Sequence, residues 1–243
     1  MKVLIFKTAE QSLLAIAELF VQAASKAVED HSEFNVALSG GSSPKKLYEL
    51  LASPSFNQRV DWRWVYFFFG DERYVPFNDP DNNALMVRKA LFDPLNIPDS
   101  QIFIINTALS PPMAAKSYMD VIESHFKTRR IKFDLILLGL GDNSHTASLF
   151  PHTPVLHEKT SSVKEVFLND QQVYRITFTA PLINKAHHTA FLVYGETKAI
   201  AVHNILEGEK NIEEYPAQLI DPEDGYLTWF LDESAASLLR NKY

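Results

Sequence analysis

Three apolar runs constrain this chain more than any other feature: "FNVALS" (34–39), "WVYFFFG" (64–70) and "FDLILLG" (133–139). Each is too short for a buried helix, rich in β-branched or aromatic residues, and apolar without alternation. A strand with both faces covered reads this way, and such strands belong to parallel sheets. "YRITFT" (174–179) and "TAFLVYG" (189–195) add two more strand candidates. Helical patterns at about 45–52, 82–92, 113–127 and 196–207 fall between them. Near the start, Leu13, Ala17, Phe20, Val21 and Ala24 recur at helical spacing after a short strand. The alternation of strand and helix predicts an α/β fold: one doubly wound, Rossmann-like domain over residues 1–243, with a mostly parallel sheet covered by helices on both faces. No repeat, low-complexity segment or linker divides it.

Composition narrows the function. The net charge of −7 and the shortness of the basic group Arg129-Arg130-Lys132 argue against nucleic acid as a partner. With 0 cysteines, disulfides, thiolate metal sites and cysteine nucleophiles are out, and the reducing cytoplasm is the expected compartment. Lys7, Glu10 and Glu18 interrupt what would otherwise resemble a signal peptide, and no window is long enough to span a membrane. No H-x-x-x-H or H-E-x-x-H pair occurs, so no dedicated metal site is expected.

The three runs each end in a glycine or polar cluster, and ligands of open α/β sheets sit at the carboxyl ends of strands. In "LSGGSSPKKLYELL", Gly40, Gly41, Ser42 and Ser43 turn the chain from strand to helix, with Pro44 expected as the first helical residue. Free N–H groups at such a turn, together with the helix dipole, form an anion site. The bland alternative is a tight turn with a serine cap. In "FFFGDERYVP", Asp71, Glu72 and Arg73 follow a very apolar strand, either as a solvated loop or as functional charges. "GLGDNSH" departs from the dinucleotide fingerprint at Ser144, and Pro151 cuts short the helix that fingerprint needs. His145 at its end is either a structural histidine or a base near neutral pH. Ser148 lacks the G-x-S-x-G elbow of a nucleophile.

Taken in order, "LSGGSSPKKLYELL", "FFFGDERYVPFNDPDNNALM", "FDLILLGLGDNSHTASLFP", "RITFT", "GETKAIAV" and "YPAQLIDPEDGYLTWFLD" resemble the 6-phosphogluconolactonases over nearly the whole chain. The resemblance implies hydrolysis of 6-phosphoglucono-δ-lactone without metal or cofactor. It places the substrate phosphate on Gly40, Gly41, Ser42 and Ser43, with Arg175 and Lys198 as counter-charges. His145 matches the family's base, and Asp71 and Arg73 match residues lining the same cleft. The strand before His145 is expected to fix the imidazole while the glycines clear space for water. Gly141, Asp142 and Asn143 form the loop orienting that base. Here the chain departs from the usual G-x-G-x-D-G-H-T: Asn143 and Ser144 stand where aspartate and glycine are customary. "NDQQVY" also lacks a lysine often found before the arginine.

Two rivals remain at this level. Glucosamine-6-phosphate deaminases share the superfamily, but their loop, like D-G-H-I-A-F-N-E, carries acids where this chain has Asn143 and Phe150. A non-catalytic sugar-phosphate sensor would normally append a DNA-binding domain, for which no residues are left over. The expected partner is a phosphorylated sugar lactone, and the expected assembly a monomer or weak homodimer.

Overall fold

A computed structural model describes residues 1–243. The chain runs β1 (Lys2–Phe6), α1 (Ala9–His31), β2 (Phe34–Leu38), α2 (Ser42–Ala52), β3 (Val65–Phe69), β4 (Asp71–Arg73), α3 (Asn83–Val87), α4 (Asp93–Leu95) and α5 (Pro111–Phe126). It continues through β5 (Leu135–Leu138), β6 (Val163–Leu168), β7 (Val173–Phe178), α6 (Ala180–Ile183), β8 (His188–Val193), α7 (Ala199–Leu206) and β9 (Tyr226–Asp232).

Six strands form the main sheet in the order β1-β9-β8-β5-β2-β3, and every pairing in it is parallel. All residues of β2 and β5 are buried, as their unbroken apolar runs require of a sheet covered on both faces. Helix α1 packs along β1, β2, β8 and β9. Its Leu13, Ile16, Ala17, Phe20, Ala24 and Ala27 recur every three or four residues and are buried. Thr8 starts it by accepting from the Gln11 N–H, and Ser32 stops it in the left-handed region at φ 65°.

"YRITFT" does not join that sheet. It is β7, the middle of a separate three-stranded antiparallel sheet, β4-β7-β6. Its pattern explains the difference. Arg175 and Thr177 fall on one face and Ile176 and Phe178 on the other, the alternation of a sheet whose two faces meet different surroundings. Gly70 joins the two sheets: its N–H donates to Leu38 O at 2.9 Å, and its carbonyl accepts from Phe178 N at 2.8 Å. A single contiguous cluster of 64 buried apolar residues contains strands of both sheets, so the sheets share a core.

Two further boundaries differ from expectation. Helix α2 begins at Ser42, so Pro44 is its third residue; its missing N–H is still one of the four without an intrahelical partner. The last helix is preceded by a 3₁₀ turn at Glu196–Lys198 and starts only at Ala199. No helix is long and apolar enough to cross a membrane.

Candidate active site

Because β2, β3, β5 and β8 are parallel, their carboxyl ends share one edge. The segments leaving them surround a cavity of about 370 Å³. Gly40, Gly41, Ser42 and Ser43 come from the first, Asp71 and Arg73 from the second, Gly141 and His145 from the third, and Tyr194 and Lys198 from the fourth. Arg175 reaches the cavity from β7. The cavity thus gathers ten of the twelve residues named from the sequence as binding, catalytic or orienting; Asp142 and Asn143 are not part of its lining.

The turn after β2 is anchored at its root. Ser39 Oγ donates to Leu137 O at 2.8 Å, while Tyr48 Oη donates to Ser39 O at 2.8 Å and accepts from Ser39 N at 3.0 Å. Gly41 precedes the helix at φ 104°, a conformation open to glycine and strained for other residues. No side chain caps α2, so its first N–H groups are left for a ligand, and the helix dipole favours an anion there. A Cβ on Gly40 would lie 1.8 Å from Asn83 Oδ1, so this glycine permits Asn83 to pack directly on the turn.

The segment Asp71-Glu72-Arg73 is a short strand rather than a solvated loop. Its period of two sends Asp71 and Arg73 to the cavity and Glu72 the other way. Glu72 is buried and accepts from the N–H groups of Asn83 (2.7 Å), Ala84 (2.9 Å) and Arg73 (2.8 Å), holding the start of α3. Burial pushes its carboxyl up to about 7 against those three donors. Asp71 is also buried, with Oδ2 accepting from Ser148 Oγ at 2.7 Å. Burial raises its pKa, opposed by Arg73, by Ser148 and by Arg175. Arg73 and Arg175 are direct cross-strand partners. Like charges placed so are mutually unfavourable. Burial and its neighbour Arg73 lower the Arg175 pKa from the usual guanidinium value. A site holding two guanidiniums and one ammonium against a single buried carboxylate is arranged for an anion.

Strand β5 ends at Leu138, so it does not itself fix the histidine. His145 stands at the end of a turn closed by Gly141 N to His145 O (2.8 Å) and Ser144 N to Gly141 O (3.0 Å). Three neighbours hold its ring. Asn143 Oδ1 lies 2.5 Å from Nδ1. The Phe150 ring stacks on the imidazole with centroids 4.0 Å apart and planes 19° from parallel. A Cβ on Gly141 would sit 2.1 Å from Nδ1, so the missing side chain is where the ring lies. Asn143 Oδ1 also accepts from the His145 backbone N–H at 3.4 Å, which identifies the facing atom as the amide oxygen. Nδ1 must then carry the proton, leaving a lone pair on Nε2. Burial, then Lys198, Arg175 and Arg73, push the imidazole down to about 4, with Asp142 opposing. It is uncharged at neutral pH.

Asp142 pairs with Lys198 Nζ at 2.6 Å. Ser144 sits at φ 65°, which explains why glycine is customary there and serine costs about 1 kcal/mol. Sequence reasoning gave no role to Asn83, Phe150 or Tyr194, and passed over Ser148 except as a nucleophile. All four line the cavity. Asn83 and Phe150 lie inside the quoted motifs, which was the available signal. No group of three His, Asp or Glu side chains is placed to hold a metal ion.

The family model of glucosamine-6-phosphate isomerases/6-phosphogluconolactonase matches residues 7–229. A 6-phosphogluconolactonase of Synechocystis is 42% identical over 219 residues, 88% of each chain. One from Nostoc is 37% identical over 217 residues, again 88% of each chain. The solved 6-phosphogluconolactonase of Trypanosoma cruzi superposes with a TM-score of 0.88 at 26% identity, covering 99% of this chain and 97% of its own. By sequence and by fold, this chain belongs to the glucosamine-6-phosphate isomerase/6-phosphogluconolactonase family.

Proposed function

We propose that the chain is a carboxylic ester hydrolase that opens 6-phosphoglucono-δ-lactone to 6-phosphogluconate, with His145 as general base. The observation that carries this reading is a neutral imidazole, its Nε2 lone pair free, in a cavity ringed by Arg73, Arg175 and Lys198. Nε2 takes a proton from water as the water oxygen bonds to the lactone carbonyl carbon. The oxyanion that forms meets the positive field of Arg73. Collapse of that intermediate breaks the ring C–O bond, and the imidazolium returns its proton to the departing ring oxygen. An activated ester of this kind needs no covalent nucleophile.

The substrate phosphate lies on the N-terminus of α2 at Gly41, Ser42 and Ser43, with Arg175 and Lys198 as counter-charges. Asp71 is held by Ser148 and balances the two arginines. Lys198 exchanges Asp142 for the phosphate on binding. The setting we propose for this chain is a monomer or weak homodimer in the cytoplasm, which a chain with 0 cysteines suits.

The deaminase alternative lacks its carboxylates, because positions 143 and 150 hold Asn and Phe. The test is a direct comparison of phosphorylated and plain gluconolactone. Two charge-assisted contacts at about 1.5 kcal/mol each predict a preference on the order of 100-fold in kcat/KM for the phosphorylated ester. Turnover of glucosamine 6-phosphate with no lactone hydrolysis would replace this assignment.

A further inference from the structure

We propose that Phe150 is a positioning residue for this site: its ring fixes the plane of the His145 imidazole and keeps water from one of its faces. The proposal rests on the reading of His145 as the base. The ring centroids are 4.0 Å apart and the planes 19° from parallel, so the two rings cover each other rather than meet at an edge. The remaining constraints on the imidazole leave that task open. Asn143 holds only Nδ1, and about that one bond the ring is free to tilt. Gly141 backs the Nδ1–Cε1 side but offers no side chain to grip it. Phe150 alone presents a flat surface.

Phe150 is itself fixed. Its carbonyl accepts from Thr153 Oγ1 at 2.6 Å, Pro151 restricts the backbone after it, and its ring is half-buried against the core. A phenyl ring brings neither charge nor hydrogen bond to the base. Its contribution is shape and exclusion of water. The charged groups that face the imidazole are Arg73 from β4, Arg175 from β7, Lys198 ahead of α7 and Asp142 from its own loop. Burial outranks all of them in keeping the imidazole uncharged, and Phe150 supplies part of that burial.

The experiment compares wild type, Phe150→Ala and Phe150→Tyr by two-dimensional ¹H–¹⁵N spectra of the histidine rings, titrated without ligand, alongside kcat and KM. Phe150→Ala is expected to raise the His145 midpoint by about one pH unit toward the ordinary imidazole value, with the Nδ1-protonated tautomer still set by Asn143. With the ring free to tilt, kcat falls about tenfold while KM stays within about twofold. Phe150→Tyr, which keeps the flat face, restores both the midpoint and kcat. A His145 midpoint unchanged in Phe150→Ala would overturn the proposal, as would Phe150→Tyr behaving like Phe150→Ala. His145→Gln serves as the control. If it retains activity the base assignment fails, whereas the ring spectra still report the Phe150–His145 coupling directly.

Discussion

The side-chain oxygen of Asn143 lies 2.5 Å from Nδ1 of His145, while the neighbouring Asp142 pairs with Lys198 at 2.6 Å. The base is therefore held by an amide where the family customarily has a carboxylate. An amide oxygen fixes the tautomer but does not stabilise the imidazolium as a carboxylate does. In Asn143→Asp the His145 pKa should rise, so the protonated, inactive form persists to higher pH. The acidic limb of the kcat/KM profile moves to higher pH accordingly, with the plateau kcat equal or increased because the base is stronger. A limb that stays in place would show that residue 143 does not govern the base.

Gly141 allows a test that touches only the imidazole. Its φ is not in the left-handed region, so alanine is tolerated by the backbone, yet a Cβ would stand 2.1 Å from Nδ1. Gly141→Ala should displace the ring and lower kcat by at least about tenfold, with little change in KM or Tm. In a His145→Ala background the same substitution should add nothing, since the two changes act through one group. A separate loss in the double mutant would mean that Gly141 serves the loop rather than the histidine.

The cations divide by role. Arg175 and Lys198 hold a group remote from the reacting carbon, so their contribution is equal in ground and transition states. Arg175→Ala and Lys198→Ala should each raise KM by on the order of tenfold for the phosphorylated lactone and leave plain gluconolactone nearly unaffected. Should both variants discriminate the two lactones as well as wild type does, the phosphate binds elsewhere.

What the sequence made legible follows from burial. The runs that became β2, β3, β5 and β8 are apolar throughout because both their faces are covered, and their parallel arrangement brought the glycine and Asp71 clusters to one edge. Strand β6 escaped notice because Lys164 and Glu165 break its apolar run, and these residues are only partly buried. The motif carrying His145 was legible, but the means of holding it was not. The strand ends at Leu138, and the ring is gripped by Asn143, by Phe150 and by the space at Gly141, contacts that only the folded loop defines. Glu72 was grouped with its charged neighbours. Only its register on β4 reveals that it faces inward to hold Asn83 and Ala84.

The central claim is that a neutral His145 takes the proton from water. It is tested most directly by kcat for 6-phosphogluconolactone in His145→Ala, corrected for spontaneous hydrolysis and measured on protein whose Tm matches wild type. The account predicts a loss on the order of 10²–10⁴-fold with KM little changed. A loss below about tenfold would contradict it and remove His145 from the role of base.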